Sequence, residues 1–324
     1  MIVRSSEVLS DDAAQVAAFA REVTTQPAIP DLRLGEAVFM DWTDPQYFAA
    51  RAVSRSGLIH MRHDPADFER RHERGLGEPL KETSSMRLGT GAHCATLTPT
   101  DFHRRCPCPE PLRPAGARKG TPARLRFEQV HGAWAAMMNA IPDAIRLKPA
   151  EYMRSMNIAR AFYDAYDPRI LLMASGRAEV SIVWREPTSG ILVKVKIDRI
   201  VELTADDVFG SELEPGFYEV DIKTSENIEP WAFKKSARRY GLDVQASLYC
   251  DALQAAAKRP AKHLWLCIES KEKAHPRTAV YPRTDEAVQR GREAYRELLG
   301  ELAWRRESGV WLKDWERGPY ALDI

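Results

Sequence analysis

Apolar positions recur at helical spacing through the first half of the chain and alternate in several segments of the second. The early pattern predicts helices over Asp11–Thr24, Asp44–Arg55, Pro65–Arg74, Met86–Leu97, Arg124–Ala140 and Pro149–Asp164. Thr83-Ser84-Ser85 caps the fourth of these and Pro99 stops it. Cys106–Thr121 holds four prolines and two glycines and reads as a loop. From Glu179 the period becomes two. Glu179–Trp184 and Ile191–Leu203 flank the turn Glu186-Pro187-Thr188-Ser189-Gly190 and read as a hairpin. Phe217–Thr224, His263–Glu269 and Arg277–Tyr281 read as further strands, and Pro230–Tyr240, Asp243–Ala257 and Asp285–Glu307 as helices. No internal repeat is present. The order predicts an α/β protein: a mixed central β-sheet flanked by helices, with a helical N-terminal half. Residues 1–35 read as an N-terminal extension and 36–324 as a single domain.

One strand breaks the apolar pattern. In Tyr218-Glu219-Val220-Asp221-Ile222-Lys223-Thr224, Asp221 and Lys223 share a face, while Val220 and Ile222 point to the other. A charged pair inside a strand is costly unless a ligand, a metal or a partner compensates it. An acidic residue also ends the preceding strand pattern, at Ile197-Asp198-Arg199. Asp, a connection of about twenty residues, then Asp-x-Lys is the layout of a metal-dependent PD-(D/E)xK phosphodiesterase site. Carboxylates supply the hard oxygen ligands that Mg²⁺ requires, and the metal polarises the phosphate. A neighbouring lysine can orient water, accept its proton or offset charge. Read alone, the same pair is also an edge-strand salt bridge.

Composition narrows the setting. The chain has 324 residues, 44% hydrophobic, with a net charge of +1. No apolar run is long enough to span a membrane, and Met1–Glu7 has no signal-peptide character, so a cytoplasmic location is expected. Cys94, Cys106, Cys108, Cys250 and Cys267 suit reduced thiols, and none of their spacings fits a zinc or iron–sulfur site. A nucleic-acid role therefore needs local charge. Arg113, Arg118, Lys119, Arg124 and Arg126 cluster in the Pro/Gly-rich stretch, and Lys234, Lys235, Arg238 and Arg239 follow the Asp-x-Lys strand. Either cluster also reads as solvated surface.

Three further positions carry candidate chemistry. His93 lies in Leu88-Gly89-Thr90-Gly91-Ala92-His93, where two glycines in a helix suggest close packing and the His is a metal ligand or a half-buried side chain. Gln245 and Tyr249 share a helix face and can contact phosphate or water, or simply pack. Glu179 reads as a solvent-facing strand residue by spacing, or as an additional acid at the site.

From about Phe39 to Tyr281 the chain resembles the exonuclease VIII (RecE-type) group of PD-(D/E)xK nucleases, related to lambda exonuclease and the RecB nuclease domain. Five pieces occur in the family's order: Ser54-Arg55-Ser56-Gly57-Leu58, the glycine-bearing His93 helix before Pro99, the hairpin from Glu179 to Arg199, Val220–Thr224, and Arg239–Tyr249. The resemblance implies Asp198, Asp221 and His93 as metal ligands with the carbonyl of Ile222, Lys223 as the catalytic lysine, and Gln245 and Tyr249 as supporting contacts. It implies Mg²⁺, with Mn²⁺ as substitute, and no iron–sulfur cluster. It further implies 5′–3′ exonuclease action on double-stranded DNA ends in recombination, a RecT-type single-strand annealing partner, and a homo-oligomeric ring. Met1–Gly35 and Trp304, Trp311 and Trp315 are the expected ring contacts, the alternative being that these aromatics cover the core of a monomer. Two segments depart from the family: Lys194-Val195-Lys196-Ile197 before Asp198, and the shortened basic loop. Another DNase of the superfamily, a single-strand exonuclease or repair endonuclease, and a decayed DNA-binding protein remain alternatives.

Overall fold

A computed structural model of the chain describes residues 28–76, 82–141, 143–271 and 275–313. The expected helix Asp11–Thr24, most of the N-terminal extension, and Trp315 lie outside these. Six strands form one sheet in sequence order: β1 (Ala37–Met40), β2 (Gly176–Arg185), β3 (Leu192–Leu203), β4 (Gly216–Ser225), β5 (Lys262–Glu269) and β6 (Thr278–Pro282). All neighbours are antiparallel except β4 and β5. Eleven α-helices accompany them among the described residues: α1 (Asp44–Ala49), α2 (Arg55–His63), α3 (Pro65–Phe68), α4 (Ser84–Leu97), α5 (Pro99–Arg105), α6 (Pro122–Ala140), α7 (Pro149–Asp164), α8 (Tyr166–Met173), α9 (Pro230–Tyr240), α10 (Leu242–Ala257) and α11 (Asp285–Ser308). A π-helical turn, Glu69–Glu73, extends α3. The α9–α10 crossover is what allows β4 and β5 to run parallel.

Helices cover both faces of the sheet. On one face Leu58 and Met61 of α2, Leu248 and Leu253 of α10 and Tyr295 and Leu299 of α11 pack on Ile182, Val193 and Val195. On the other, Leu88 of α4, Phe162 of α7 and Leu171 of α8 pack on Val220, Ile222, Leu264 and Leu266. A smaller cluster, including Phe102, Cys106 and Leu147, ties α5 to α7.

The expected helix Asp44–Arg55 ends at Ala49, and a separate helix begins at Arg55. Ala50 turns extended, Val53 bridges to Val193 of β3, and the Ser54 hydroxyl caps the new helix by accepting the N–H of Gly57. Pro99 does end α4 but also opens α5, where its missing N–H costs nothing. β1 and α8 carry too few periodic residues to read in advance. Trp311 stacks on Phe68, with ring centroids 5.9 Å apart, so it serves this chain's own core.

Both lysines of the departing segment before Asp198 have internal work. Lys194 donates to the carbonyls of Tyr47 (2.7 Å), Phe48 (3.3 Å) and Ala50 (2.9 Å), closing the C-terminus of α1. Lys196 pairs with Asp44 at the N-terminus of α1 and, at 2.6 Å, with Glu179. β3 thereby holds α1 at both ends.

Candidate active site

The site lies where β3 and β4 part. Their ladder ends at Arg199 opposite Val220, while β4 continues against β5 as far as Ser225 opposite Glu269. The parity of β3 shifts at the same place: Ile197 and Ile200, three residues apart, face the same core. Beyond the last rung, the N–H of Ile222 is satisfied by the Asp198 side chain, donating to Oδ2 at 2.8 Å. A carboxylate thus replaces a strand partner, which fixes its position.

Across β2, Ala178 pairs with Arg199 and Val180 with Ile197, which sets Glu179 opposite Asp198. Glu179 has φ +55°, a left-handed conformation that costs a non-glycine residue about 1–2 kcal/mol. This kink re-aims its carboxylate, and Lys196 holds it there. His93 arrives from α4, its Nδ1 3.4 Å from Asp198 Oδ2. Ligand atoms of His93, Glu179 and Asp198 all fall within 4.8 Å of one another. One imidazole and two carboxylates make a donor set for a hard divalent cation such as Mg²⁺ or Mn²⁺.

Asp221 stands outside that trio of ligand atoms. Lys223 Nζ lies 2.6 Å from both its oxygens, and Gln245 Nε2 donates to Oδ1 at 2.9 Å. The shared face of Asp221 and Lys223 is therefore as expected, and Gln245 grips the carboxylate from α10. Tyr249, one turn on, is partly buried beside them. Ile222 enters through its N–H, whereas the expectation concerned its carbonyl.

Electrostatics separate these groups. Burial pushes Asp221 up to about 6, with Asp198 and Glu219 adding repulsion and Lys223 opposing. Burial also raises Asp198, but His93, Lys223 and the Ile222 N–H outweigh it and hold its carboxyl below the usual range. Burial works against both cations, yet Asp198 raises His93, and Asp221 and Asp198 raise Lys223. Asp221 and Asp198 thus favour the charged form of Lys223, a donor and counter-charge to both carboxylates.

Two features escaped the sequence reading. Arg55, quoted there only as part of the motif opening, has a buried guanidinium whose Nε and Nη2 have no hydrogen-bond partner. Burial lowers its pKa, while Tyr249, Asp221 and Asp243 supply opposing negative potential. As the first residue of α2, just after the Ser54 cap, it gave no hint of this orientation in the sequence. Beneath the site, Glu219 of β4 bonds to His263, its register partner on β5, with both side chains at most 1% exposed. Burial raises Glu219 strongly and pushes His263 down to about 3.

The basic residues of α9 divide. Lys235 and Arg239 line a groove running from Thr224 and Ser225, directly beyond Lys223, whereas Lys234 and Arg238 are exposed elsewhere on the helix. In the basic loop, Arg124 is paired with Glu128 at 2.7 Å, and Arg113, Arg118, Lys119 and Arg126 are exposed.

A crystal structure from Eubacterium rectale, of a protein provisionally assigned as an exonuclease, is similar in fold: TM-score 0.50 at 15% sequence identity, covering 88% of this chain and 96% of that one. No curated protein matches the sequence. Among the described residues, no helix is long and apolar enough to cross a membrane. The family model described as a PDDEXK-like domain of unknown function (DUF3799) matches residues 54–317. That span takes in β2 to β6 and every candidate site residue, so the chain has a PD-(D/E)xK nuclease fold and belongs to this family.

Proposed function

We propose that the protein is a divalent-metal-dependent deoxyribonuclease, a 5′–3′ exonuclease acting on double-stranded DNA ends. The observation that carries the reading is the convergence of His93, Glu179 and Asp198 beside the Asp221–Lys223 pair, at the point where the sheet opens. Held there, Mg²⁺ or Mn²⁺ would supply Lewis acidity and activate water for attack on phosphorus. The protein's own groups cover the rest. Lys223 orients the attacking water and offsets charge on the phosphate. Gln245 keeps Asp221 in place. The unpaired N–H groups of Arg55 suit phosphate oxygens, which accept charge-assisted bonds from a planar guanidinium. A decayed binding protein would have no need to keep Glu179 in a strained conformation.

Exonuclease polarity, action in recombination, a RecT-type annealing partner and a closed ring are proposed from the five family motifs. The test uses linear and circular duplexes, labelled on either strand end, with Mg²⁺, with Mn²⁺ and with chelator. Degradation of linear DNA alone, from the 5′ end and only with metal, supports the proposal. Cleavage of circles points to a repair endonuclease, and cleavage of single strands alone to a single-strand exonuclease. Light scattering with and without DNA decides the ring: a strict monomer removes it.

A further inference from the structure

The groove beyond Lys223 has a volume of about 720 Å³, and it combines two chemistries. Trp231 and Tyr240 border it with 67% and 57% of their surface exposed. Lys235 and Arg239 line the same side, and neither has a carboxylate partner among the described residues. Arg154 and Lys271 add positive charge from the opposite wall; Glu226 is a free acid there, and Glu151 is neutralised by Arg87 at 2.9 Å. The groove is therefore net cationic.

The helix that carries the aromatics is anchored, and the Arg239 guanidinium lies 5.6 Å from the Tyr240 ring centroid. Phe233 and Ala237 anchor the far side of α9, with Phe233 stacked on Tyr281 at 5.4 Å and edge-on to Trp265 at 5.5 Å. The Trp231 indole N–H donates to Glu229 Oε2 at 2.9 Å, and Gly241, at φ +59°, ends the helix just after Tyr240. Two water-facing rings flanked by cations match a polyanion whose units carry π-faces, which is single-stranded nucleic acid. A duplex presents its phosphates but keeps its base faces stacked.

Building on the nuclease reading, we propose that this groove is a subsite for unpaired nucleotides of the strand being cut. Bases stack on Trp231 and Tyr240, and the backbone runs along Lys235 and Arg239. The enzyme would thus act on a frayed or tailed end rather than on a closed duplex.

The test measures binding of the full-length protein by fluorescence anisotropy, with Ca²⁺ in place of Mg²⁺. The probes are duplexes carrying a five-nucleotide single-stranded tail, either with normal bases or abasic. The wild type should prefer the base-bearing tail. Trp231→Ala and Tyr240→Ala should each weaken that tail by about 5- to 150-fold, leave the abasic tail unchanged, and Trp231→Phe should restore most of the loss. Equal wild-type affinity for the two tails overturns the proposal, as does an equal loss on both tails in the variants. Hydrolysis of the same probes with Mg²⁺ reports on the nuclease reading separately. Base-dependent binding without hydrolysis leaves the subsite standing and removes the nuclease; hydrolysis without base-dependent binding does the reverse.

Discussion

The two glycines of α4 should respond to alanine in opposite ways. A Cβ on Gly91 would lie 2.5 Å from Ser155 Oγ and 2.8 Å from Leu147 Cδ1, closer than such atoms approach. A Cβ on Gly89 would meet nothing within 4 Å. Each substitution gains about 1 kcal/mol of helix propensity. Gly89→Ala should therefore stabilise the protein by about that amount. Gly91→Ala must also displace the buried Ser155 and Leu147 side chains or α4 itself, and overpacking a tight interface costs about 1–3 kcal/mol. The propensity term is common to both, so the difference between the variants isolates the packing cost at about 1–3 kcal/mol. Urea unfolding at matched m-values measures it. There is a functional consequence as well. His93 is two residues beyond Gly91, and its contact with Asp198 is 3.4 Å. Any shift of α4 that relieves this crowding should raise the metal concentration needed for activity in Gly91→Ala but not in Gly89→Ala. Equal stability of the two variants, or an unchanged metal requirement in Gly91→Ala, would refute the reasoning.

Other residues give sharper single outcomes. Asp221→Asn should abolish metal-dependent cleavage while circular dichroism remains native, because the carboxylate is gripped by Lys223 and Gln245 without supporting a core. Lys223→Ala should lower turnover by about 10² or more at saturating DNA with little change in affinity, as measured by single-turnover kinetics. Neutralising Lys235 and Arg239 together should flatten the salt dependence of DNA binding by about 1.4–1.8 in log–log slope, more than neutralising Lys234 and Arg238. Asp67 is held down to about 2 by its hydrogen bond from Arg70, with Arg71 adding to it and burial opposing. A depressed carboxyl stabilises the fold above its unfolded pKa, near 4, and loses that effect as pH falls toward 2. The melting temperatures of wild type and Asp67→Asn should therefore differ above pH 4 and converge near pH 2.

The amino-acid sequence by itself determined the alternation that builds β2 to β6, the long helices α7, α9, α10 and α11, and the shared face of Asp221 and Lys223. These follow from local periodicity, which the chain carries in every few residues. It also singled out Asp198, His93 and Gln245, though their mutual distances were not in it. Only the tertiary structure decided the rest. Spacing alone put Glu179 toward solvent, because period-two reasoning assumes an unbroken strand; φ +55° breaks that parity and turns the carboxylate to Asp198. The buried, unpartnered guanidinium of Arg55, the pairing of Lys196 with Asp44 and Glu179, and the hold of Lys194 on the carbonyls that end helix α1 all depend on neighbours distant in the chain. The division of α9 into a groove side and an outer side likewise depends on Phe233 and Ala237 finding the Trp265–Tyr281 cluster. A site made where two strands separate is assembled from residues more than a hundred positions apart, and the loss of a ladder rung that creates it leaves no periodic mark in the chain.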